Sequence, residues 1–233
     1  FHNLKTQASV LWFSASQEPI RDNAIFVNSE GKLQLKTKGK TQTVCSVDEL
    51  PLPGEHNLEN AMVVIAAAFF AGLPIEQIKE RLLRFGGLEH RVEFVKEIKD
   101  KQKSIKFYND SKSTNPESSI VALKAFPGKP IIWLAGGRDK LTDLKELCDY
   151  ADSLSIAALL YGEAKDRFYE ALQSNGYKGL LEKFETLADA LEGAKKISDR
   201  FQESIILLSP ACASFDQFKN FEERGKYFKG LVG

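Results

Sequence analysis

Ile205–Leu208 (Ile-Ile-Leu-Leu) runs directly into the polar cluster Ser209–Phe218 (Ser-Pro-Ala-Cys-Ala-Ser-Phe-Asp-Gln-Phe). A short apolar run that ends in small polar residues is typical of a buried parallel strand and its exit loop. About a hundred residues earlier, Ile105–Tyr108 runs in the same way into Asn109–Asn115 (Asn-Asp-Ser-Lys-Ser-Thr-Asn). Ligands of open parallel sheets bind beyond the carboxyl ends of the strands. We therefore expect both polar clusters to lie where a ligand binds.

Beyond Gly87, apolar runs of strand length alternate with helical patterns, which predicts βαβ units and a parallel sheet. The predicted strands are Ile105–Tyr108, Ile131–Ala135, Ala157–Tyr161 and Ile205–Leu208, with Val92–Ile98 as a further candidate. The predicted helices are about Pro116–Phe126, Asp143–Ser153, Glu163–Gln173, Leu187–Phe201 and Phe215–Phe228. This part of the chain is therefore assigned to the α/β class, as a Rossmann-like, open and mostly parallel sheet with flanking helices.

The first part of the chain predicts short strands followed by two helices. The strands are Val10–Phe13, Ala24–Asn28 and Leu33–Thr37, with a hairpin turn at Asn28–Gly31, and the helices run from His56 or Asn57 to about Phe70 and over Ile75–Phe85. Gly39-Lys40-Thr41 looks like the end of a phosphate loop, but Gln34 stands where that motif requires a glycine. We interpret it as a hairpin turn. A domain boundary near Gly86–Arg91 gives two domains, 1–88 and 89–233.

Composition excludes several classes of protein. Lys plus Arg and Asp plus Glu number 32 each among 233 residues, so the net charge gives no argument for nucleic acid or an anionic membrane as a partner. No apolar run reaches the roughly 18 residues needed to span a bilayer. The three cysteines, Cys45, Cys148 and Cys212, form no metal or disulfide pattern, and their sparse use fits a reducing cytoplasm. Phe1–Lys5 has neither a starting Met nor a signal-peptide pattern, which predicts an excised piece of a longer protein or a processed product.

Several polar residues at the predicted strand ends suit a ligand, although each has a structural alternative. Asp110 could accept hydrogen bonds from ribose hydroxyls and Lys112 could meet a phosphate or carboxylate, or the two could cap a helix and lie in solvent. Gly136–Gly137 would let a ligand approach backbone N–H groups, with Lys140 neutralising an anion, or would form a plain turn. Ser214 is predicted to open the last helix, where a carboxylate or phosphate is favoured, unless it is an ordinary N-cap.

Other candidates lie in the first part of the chain and at the boundary. Asn57 and Asn60 are one turn apart on a predicted helix and could hydrogen-bond a base or hold a metal-bound water. Arg91 at the boundary could reach a ligand from either domain. Cys212 lacks an identifiable base partner, which disfavours a nucleophile. The aromatic residues with helical spacing in the last segment, expected in the core first and in a ligand wall second, are Phe215, Phe218, Phe221 and Phe228.

Two motifs are similar to segments of one protein family. A helix of the family's central ATPase domain is resembled by Gly54-x-His56-Asn57-x-x-Asn60, and the junction of that domain with the C-terminal domain is resembled by Gly87-Leu88-x-His90-Arg91-x-Glu93. Asn109–Asn115, Ser209–Phe218 and the following Asn220–Gly225 resemble the C-terminal domain of its D-glutamate-adding members. The family is the Mur ligases, the ATP-dependent amino-acid-adding enzymes of peptidoglycan synthesis, and nearly the whole chain resembles it.

The resemblance implies an organisation and a reaction. Domain 1–88 would be the C-terminal part of a central ATP-binding domain without its phosphate loop and main Mg²⁺ ligands, and domain 89–233 the whole amino-acid-binding C-terminal domain. ATP would phosphorylate the terminal carboxylate of UDP-N-acetylmuramoyl-L-alanine, and the amine of D-glutamate would attack the acyl phosphate, which loses phosphate and leaves an amide. The whole protein would be a cytoplasmic monomer with ATP and Mg²⁺ as cofactors, and the fragment alone would be inactive.

The resemblance also implies roles for named residues. The residues that it implies would bind the nucleotide are Asn57, Asn60, Arg91 and Asp110. Lys112 would be catalytic, beside the phosphates and the acceptor. The residues that it implies would bind D-glutamate are Thr114, Lys140, Ser214 and Phe221. Lys140 and Ser214 suit carboxylates on physical grounds as well.

Two alternative functions stay open at the level of sequence. One is a ligase of the same fold that adds another amino acid, against which the Asp-Ser-Lys-x-Thr segment argues. The other is a non-catalytic module that binds a nucleotide or an amino acid. A phosphate-loop motif upstream in the parent gene would discriminate the module from a ligase.

Overall fold

The structure, a computed structural model, describes residues 10–15, 21–100 and 103–233. The N-terminal segment Phe1–Lys5, from which a piece of a longer protein was predicted, lies outside these ranges. The chain divides into two compact units, unit 1 up to Gly86 and unit 2 from Gly87 to Gly233. The division falls at the edge of the region where the sequence predicts a domain boundary. The assignment of the two parts to named domains of a longer protein stays a prediction.

Unit 1 is a small sheet with two helices. Its strands are β1 (Trp12–Ser14), β2 (Ala24–Val27), β3 (Lys32–Thr37) and β4 (Lys40–Ser46), and its helices are α1 (Glu55–Phe70) and α2 (Ile75–Arg84). The strand order is β1-β2-β3-β4, with β1 parallel to β2 and the other pairs antiparallel. Apolar side chains of β2, β3, β4 and both helices form one core cluster. The turn between β3 and β4 lies at Lys38–Gly39, which confirms the hairpin interpretation of the segment that resembles a phosphate loop.

Unit 2 is built on a six-stranded sheet of order β5-β6-β10-β7-β8-β9. Its strands are β5 (Glu93–Lys99), β6 (Ser104–Asn109), β7 (Ile131–Gly136), β8 (Ser155–Tyr161), β9 (Leu180–Phe184) and β10 (Glu203–Ala211). Its helices are α3 (Pro116–Lys124), α4 (Lys145–Leu154), α5 (Lys165–Ser174), α6 (Leu187–Ser198) and α7 (Phe221–Val232). The pair β5–β6 is antiparallel, and the other four pairs of neighbouring strands are parallel. The predicted α/β class, with an open and mostly parallel sheet, is confirmed.

The central strand β7 is apolar throughout because both faces of the sheet are covered. Successive side chains of a strand point to opposite faces. Trp133 and Ala135 of β7 belong to a cluster with residues of α3, α4 and α5. Ile132 and Leu134 of the same strand belong to a cluster with residues of α6 and α7. Such continuous apolar strands are the pattern expected of a parallel sheet between two helical layers.

Three elements differ from the prediction. The last helix begins at Phe221 rather than Phe215, because the side chain of Asn220 accepts the N–H of Glu223 at 2.7 Å and caps it there. The helix start predicted at Ser214 is therefore wrong, and residues 215–220 form turns and bends. Strands β4 and β9 were not predicted, since both carry charged or polar residues in place of an apolar run.

The strand order places a switch point of the topology at the centre of the sheet. The chain passes from β6 to β7 and returns after β9 to insert β10 between them. The exit loops of these three neighbouring parallel strands consequently meet at one edge of the sheet. A crevice at such a switch point is the usual position of a ligand in an open α/β sheet.

Candidate functional site

Three loops of unit 2 converge beyond the carboxyl ends of β6, β7 and β10. We name them the β6 loop (residues 110–115), the β7 loop (residues 137–142) and the β10 loop (residues 212–220). The Lys140 ammonium donates a hydrogen bond to the carbonyl oxygen of Thr114 at 2.7 Å, which joins the β7 and β6 loops. The Arg138 N–H donates to the Ala213 carbonyl oxygen at 2.9 Å, which joins the β7 and β10 loops. The structure thus brings Lys112, Thr114, Lys140 and Ser214 into neighbouring segments.

The glycine pair at the end of β7 makes this convergence possible. Gly136 and Gly137 have φ values of 128° and 125°, which side-chain-bearing residues rarely adopt. A Cβ at Gly136 would lie 2.0 Å from the Tyr161 carbonyl oxygen, and one at Gly137 would lie 2.3 Å from that of Ala213. The Gly137 N–H donates to the Tyr161 carbonyl oxygen at 3.2 Å. The pair therefore serves close approach of neighbouring backbones, rather than offering that N–H to a ligand.

Asp110 is the most buried acidic residue of the site and is 2% exposed. Its Oδ1 accepts the N–H of Val92 at 3.1 Å, while its Oδ2 accepts the hydroxyl of Ser209 at 2.7 Å and that of Ser113. Burial raises the pKa of the carboxyl to about 6, against the hydrogen bonds, which lower it. In this arrangement the carboxylate ties the β6 loop to β10 and to the segment beside Arg91.

Lys112 is exposed, in the middle of the β6 loop. Its backbone N–H donates to the His90 carbonyl oxygen at 3.0 Å, and its ammonium lies 5.9 Å from the centre of the Phe221 ring. At this distance the cation and the ring attract each other weakly. The backbone of Lys112 is fixed while its side chain is accessible, as a residue that meets an anionic ligand requires.

Lys140 is also exposed, and helix α5 holds the β7 loop that carries it. Asp139 receives two hydrogen bonds from Arg167 of α5, at 2.6 and 2.7 Å, and its pKa is lowered chiefly by this contact. Arg167 also donates to the Thr142 carbonyl oxygen at 3.1 Å. A guanidinium that grips both a carboxylate and a carbonyl fixes the loop geometry.

Ser214 has a buried hydroxyl whose Oγ meets no hydrogen-bond partner within the described parts of the chain. The residue is 1% exposed. Its carbonyl oxygen accepts the N–H groups of Gln217 and Phe218 at 3.2 and 2.8 Å, so a single helical turn follows it. A buried hydroxyl without a partner is costly and uncommon, and a ligand atom is one way to satisfy it.

Phe221 is the first residue of α7 and is half-buried. Its ring lies edge-on to His90, with the ring centres 6.1 Å apart. His90 is 2% exposed and accepts the side-chain N–H of Asn109 at 2.9 Å through Nδ1, and burial lowers its pKa. The neutral imidazole therefore serves as a packing surface for Phe221. Phe218 packs against the α6–α7 core cluster and Phe228 belongs to it, as the helical spacing predicted, but Phe215 is exposed.

The remaining predicted residues lie in unit 1 and at the start of unit 2. Asn57 is in the first turn of α1, where its amide donates to the Pro53 carbonyl oxygen at 2.6 Å. Asn60 follows one turn later and is exposed, and Arg91 is exposed. The predicted roles of these residues toward a nucleotide stay predictions.

Cys212 is a buried free cysteine. Burial raises the pKa of the Cys212 thiol to about 12, so it stays protonated and is a poor nucleophile at neutral pH. Within residues 10–15, 21–100 and 103–233, no three acidic, histidine or cysteine side chains are grouped so that they could hold a metal ion. In the same ranges no helix is both long and apolar enough to cross a membrane.

Three residues that build the site stand in the quoted sequence motifs but had no predicted role. Arg224 and Ser111 are fully buried and hydrogen-bonded between the loops, and His90 supports Phe221. Charged and hydroxyl side chains are mostly exposed, so their burial had no signal in the pattern of apolar residues. The start of α7 did have one, because Asn220 is followed three positions later by Glu223, as at a typical helix start.

The chain is similar in sequence to curated proteins of one name, although no protein-family model matches it. It is 40% identical over 225 residues to the UDP-N-acetylmuramoylalanine--D-glutamate ligase of Alkaliphilus metalliredigens, covering 97% of this chain and 47% of that protein. The protein of the same name from Staphylococcus haemolyticus is 37% identical over 231 residues, with coverages of 97% and 46%. The chain therefore spans about half the length of the curated relatives it matches.

Solved structures resemble the fold at lower sequence identity. The UDP-N-acetylmuramoylalanyl-D-glutamyl-2,6-diaminopimelate--D-alanyl-D-alanyl ligase of Acinetobacter baumannii matches with a TM-score of 0.59 and 20% identity, covering 95% of this chain and 46% of that one. The folylpolyglutamate synthase of Mycobacterium tuberculosis, in a structure with ADP and AMPPCP, matches with a TM-score of 0.63 and 15% identity, covering 90% and 48%. At these identities the likeness concerns the fold alone.

Proposed function

Because this chain belongs to the Mur ligase family, we propose that it is part of a longer ligase that adds D-glutamate to UDP-N-acetylmuramoyl-L-alanine in peptidoglycan synthesis. The curated relatives carry this activity in their name. In this proposal unit 2 is the amino-acid-binding C-terminal domain, and unit 1 is the last part of the central ATP-binding domain. The whole protein acts in the cytoplasm as a monomer.

One observation supports the proposal beyond the similarity in sequence. The β6, β7 and β10 loops are tied together so that two exposed ammonium groups and one buried, unpartnered hydroxyl belong to the same convergence. D-glutamate carries two carboxylates, which such groups bind through charge-assisted hydrogen bonds. We assign Lys140 and Ser214 to the acceptor on this basis, and Thr114 and Phe221 on the resemblance in sequence.

The chain's own residues would orient the reacting groups. Lys140 and Ser214 would hold the carboxylates of D-glutamate, and Phe221 would form one wall of its pocket. Lys112, with a fixed backbone and an accessible ammonium, would neutralise the negative charge that develops next to the acceptor amine. Holding two reactants in a productive orientation is itself a large part of such catalysis.

ATP and Mg²⁺ would supply the phosphoryl group and the charge neutralisation that activate the carboxylate of the UDP-sugar substrate. Of the residues proposed to meet the nucleotide, Asn60 and Arg91 are exposed and so accessible to it. Asp110 is buried and receives its hydrogen bonds from within unit 2. We propose that in this conformation it serves the nucleotide by fixing Val92, next to Arg91. The acidic ligands for Mg²⁺ would lie mainly in the remainder of the longer protein.

Release of ADP by the full-length protein tests the function. It would be measured with ATP, Mg²⁺ and UDP-N-acetylmuramoyl-L-alanine, and with D-Glu, L-Glu, L-Lys, meso-diaminopimelate or D-Ala-D-Ala as the acceptor. We expect release with D-Glu alone. Release with another acceptor would keep the ATP chemistry and reject the assignment of the acceptor residues, and no release with any would favour a binding module.

Lys140→Ala in the same assay tests the acceptor assignment. Loss of an ammonium that pairs with a carboxylate should raise the KM for D-glutamate about tenfold or more and leave the KM for ATP within about twofold. Lys145→Ala, at an exposed lysine in the first turn of α4, is the matched control and should change neither constant. An equal rise in both constants for Lys140→Ala would contradict the assignment.

A further inference from the structure

Arg224 is a fully buried charged residue. It lies in the first turn of α7, has an exposed fraction of 0%, and is among the largest side chains that are completely enclosed. Arginine is rarely buried to this degree unless it is paired. The guanidinium must therefore find its hydrogen-bond partners inside the protein.

The guanidinium of Arg224 spans the β6 and β10 loops. Its Nε donates to Ser111 Oγ at 2.9 Å, and its Nη2 donates to the Ser111 carbonyl oxygen at 2.8 Å. Nη2 also donates to the Cys212 carbonyl oxygen at 3.0 Å, and Nη1 donates to that of Ala213 at 3.1 Å. One planar group thus fixes the residue before Lys112 in one loop and the two residues before Ser214 in the other.

Ser111 extends this clamp to the wall of the site. Its hydroxyl accepts from Arg224 Nε and donates to the Phe221 carbonyl oxygen at 2.8 Å. The first turn of α7, the β6 loop and the β10 loop are therefore held as one hydrogen-bonded unit. A shift of the guanidinium would move residues adjacent to Lys112, to Ser214 and to Phe221 together.

The charge of this guanidinium is not directly paired with a carboxylate of the described residues. All four of its hydrogen bonds go to carbonyl or hydroxyl oxygens, and no carboxylate of the described residues forms an ion pair with it. A buried cation without an anion raises the positive potential around it, because the protein interior screens charge poorly. The convergence of loops around Arg224 is consequently suited to an anionic ligand.

We propose that Arg224 is a positioning residue for the acceptor amino acid, which sets the spacing of the β6 and β10 loops and favours an acceptor with two carboxylates through its unpaired charge. This inference rests on the proposed function, since it concerns the same acceptor. Arg224 acts through Ser111, Cys212 and Ala213 and does not itself touch the acceptor.

Arg224→Lys in the full-length protein tests the proposal, because lysine keeps the charge and loses the planar fork. We expect the KM for D-glutamate to rise about tenfold or more, with the KM for ATP within about twofold of the parent value. Arg224→Gln, which also removes the charge, should raise the KM for D-glutamate at least as much. An effect of Arg224→Gln smaller than that of Arg224→Lys would overturn the role of the charge.

Phe228→Leu is the matched control for a purely structural role. Phe228 lies on the same helix, is fully buried in the α6–α7 side of the core, and belongs to none of the three loops. This variant should lower the melting temperature and leave both KM values unchanged. If Arg224→Lys lowers only the melting temperature, or raises both KM values equally, the proposal is overturned.

Ser111→Ala provides a second test if the variants of Arg224 do not fold. It removes the hydroxyl that links Arg224 to Phe221 and should give the same selective rise in the KM for D-glutamate, and unchanged constants would overturn the proposal. Ser198→Ala, at a serine that is equally buried but remote in α6, should have no effect. Failure of the unmodified protein to release ADP with D-glutamate would reject the proposed function itself, which distinguishes that outcome from a failure of the inference.

Discussion

At the scale of single residues, the packing of His90 against α7 leaves no room for a side chain at Gly225. A Cβ at Gly225 would lie 2.2 Å from His90 Nδ1, an atom of a rigid and buried ring. We predict that Gly225→Ala destabilises the protein by about 1–3 kcal/mol through overpacking, although alanine is the better helix former. Thermal or urea unfolding of the full chain would measure the change.

Gly230 is the matched control within the same helix. A Cβ there would meet no atom within 4 Å, so Gly230→Ala should stabilise the protein by about 0.5–1 kcal/mol through helix propensity alone. Equal effects of the two substitutions would show that the contact between Gly225 and His90 does not limit the packing of α7.

Asp110 should make stability depend on pH in the direction opposite to that of most carboxylates. Its pKa is raised from 3.8 to about 6 in the folded protein, so between these pH values the folded state holds a proton that the unfolded state has lost. The free energy of unfolding should therefore fall as the pH rises through this window, by no more than roughly 3 kcal/mol. Asp110→Asn, which cannot ionise, should lack this loss and gain stability over the parent protein as the pH rises toward 7.

Asp152 offers a control of opposite sign. Its pKa is lowered, chiefly by the hydrogen bond from the Lys178 N–H, so it contributes stability above its usual pKa that is lost on acidification. Asp152→Asn should thus lose stability at neutral pH relative to the parent protein. Urea unfolding at pH 4, 5, 6 and 7 would compare the variants, and a pH-independent difference between Asp110→Asn and the parent would refute the raised pKa.

The chemistry of the candidate site could be predicted from single residues, but its burial could not. Lys112 and Lys140 were expected to be accessible cations at strand ends, and both are exposed. Asp110 and Ser214 were expected at the same edge, yet both are buried, because the neighbouring loops close over them. Arg224 stands in the Asn220–Gly225 motif, but its burial could not be predicted, since which charged side chains are enclosed depends on loops that meet only in the folded sheet.

At the scale of elements, α5 anchors the β7 loop that carries Lys140. Arg167 of α5 donates twice to Asp139 and once to the Thr142 carbonyl oxygen. We predict that Arg167→Met frees the loop and raises the KM for D-glutamate of the full-length protein about three- to tenfold, with the KM for ATP unchanged. Steady-state release of ADP would measure both constants.

The control on the same helix is Asp166→Asn. Asp166 accepts from Lys183 at 2.7 Å in an exposed ion pair that does not touch the β7 loop. Exposed pairs contribute little, so this variant should keep both constants. A rise in the KM for ATP that matches the rise for D-glutamate in Arg167→Met would indicate a general loss of structure instead of a displaced loop.

Strands with an apolar run could be predicted from the sequence, whereas the edge strands β4 and β9, which lack one, could not. β7 and β10 lie at the centre of the sheet, and the apolar runs Ile131–Ala135 and Ile205–Leu208 marked their positions, although β10 extends from Glu203 to Ala211. β9 pairs only with β8, and Glu182 and Lys183 are exposed on it, so its residues lack the signal of a buried strand. The predicted start of α7 was six residues too early because the helical spacing of the phenylalanines begins at Phe215, whereas the helix is capped by Asn220 and begins at Phe221.

At the scale of the whole molecule, the two units differ in how their apolar residues are enclosed. Unit 2 has a core cluster on each face of its sheet. The described residues of unit 1 form a single cluster, and α1 leaves Val63, Val64 and Phe70 about half exposed. Buried apolar surface is the main source of folding free energy, so the two units should differ in stability.

We predict that residues 87–233 fold independently and that this unit melts later than unit 1. A chain of this length with a sheet covered on both faces buries enough apolar surface to fold as one cooperative domain. Calorimetry should show one transition for residues 87–233 alone, at the temperature of the later transition of the whole chain. Leu134→Ala, in the centre of β7, should lower that transition in both proteins, because a cavity in the core of unit 2 costs about 2–5 kcal/mol wherever unit 2 is found. Loss of cooperative melting in the isolated segment would mean that unit 2 depends on unit 1 for its fold.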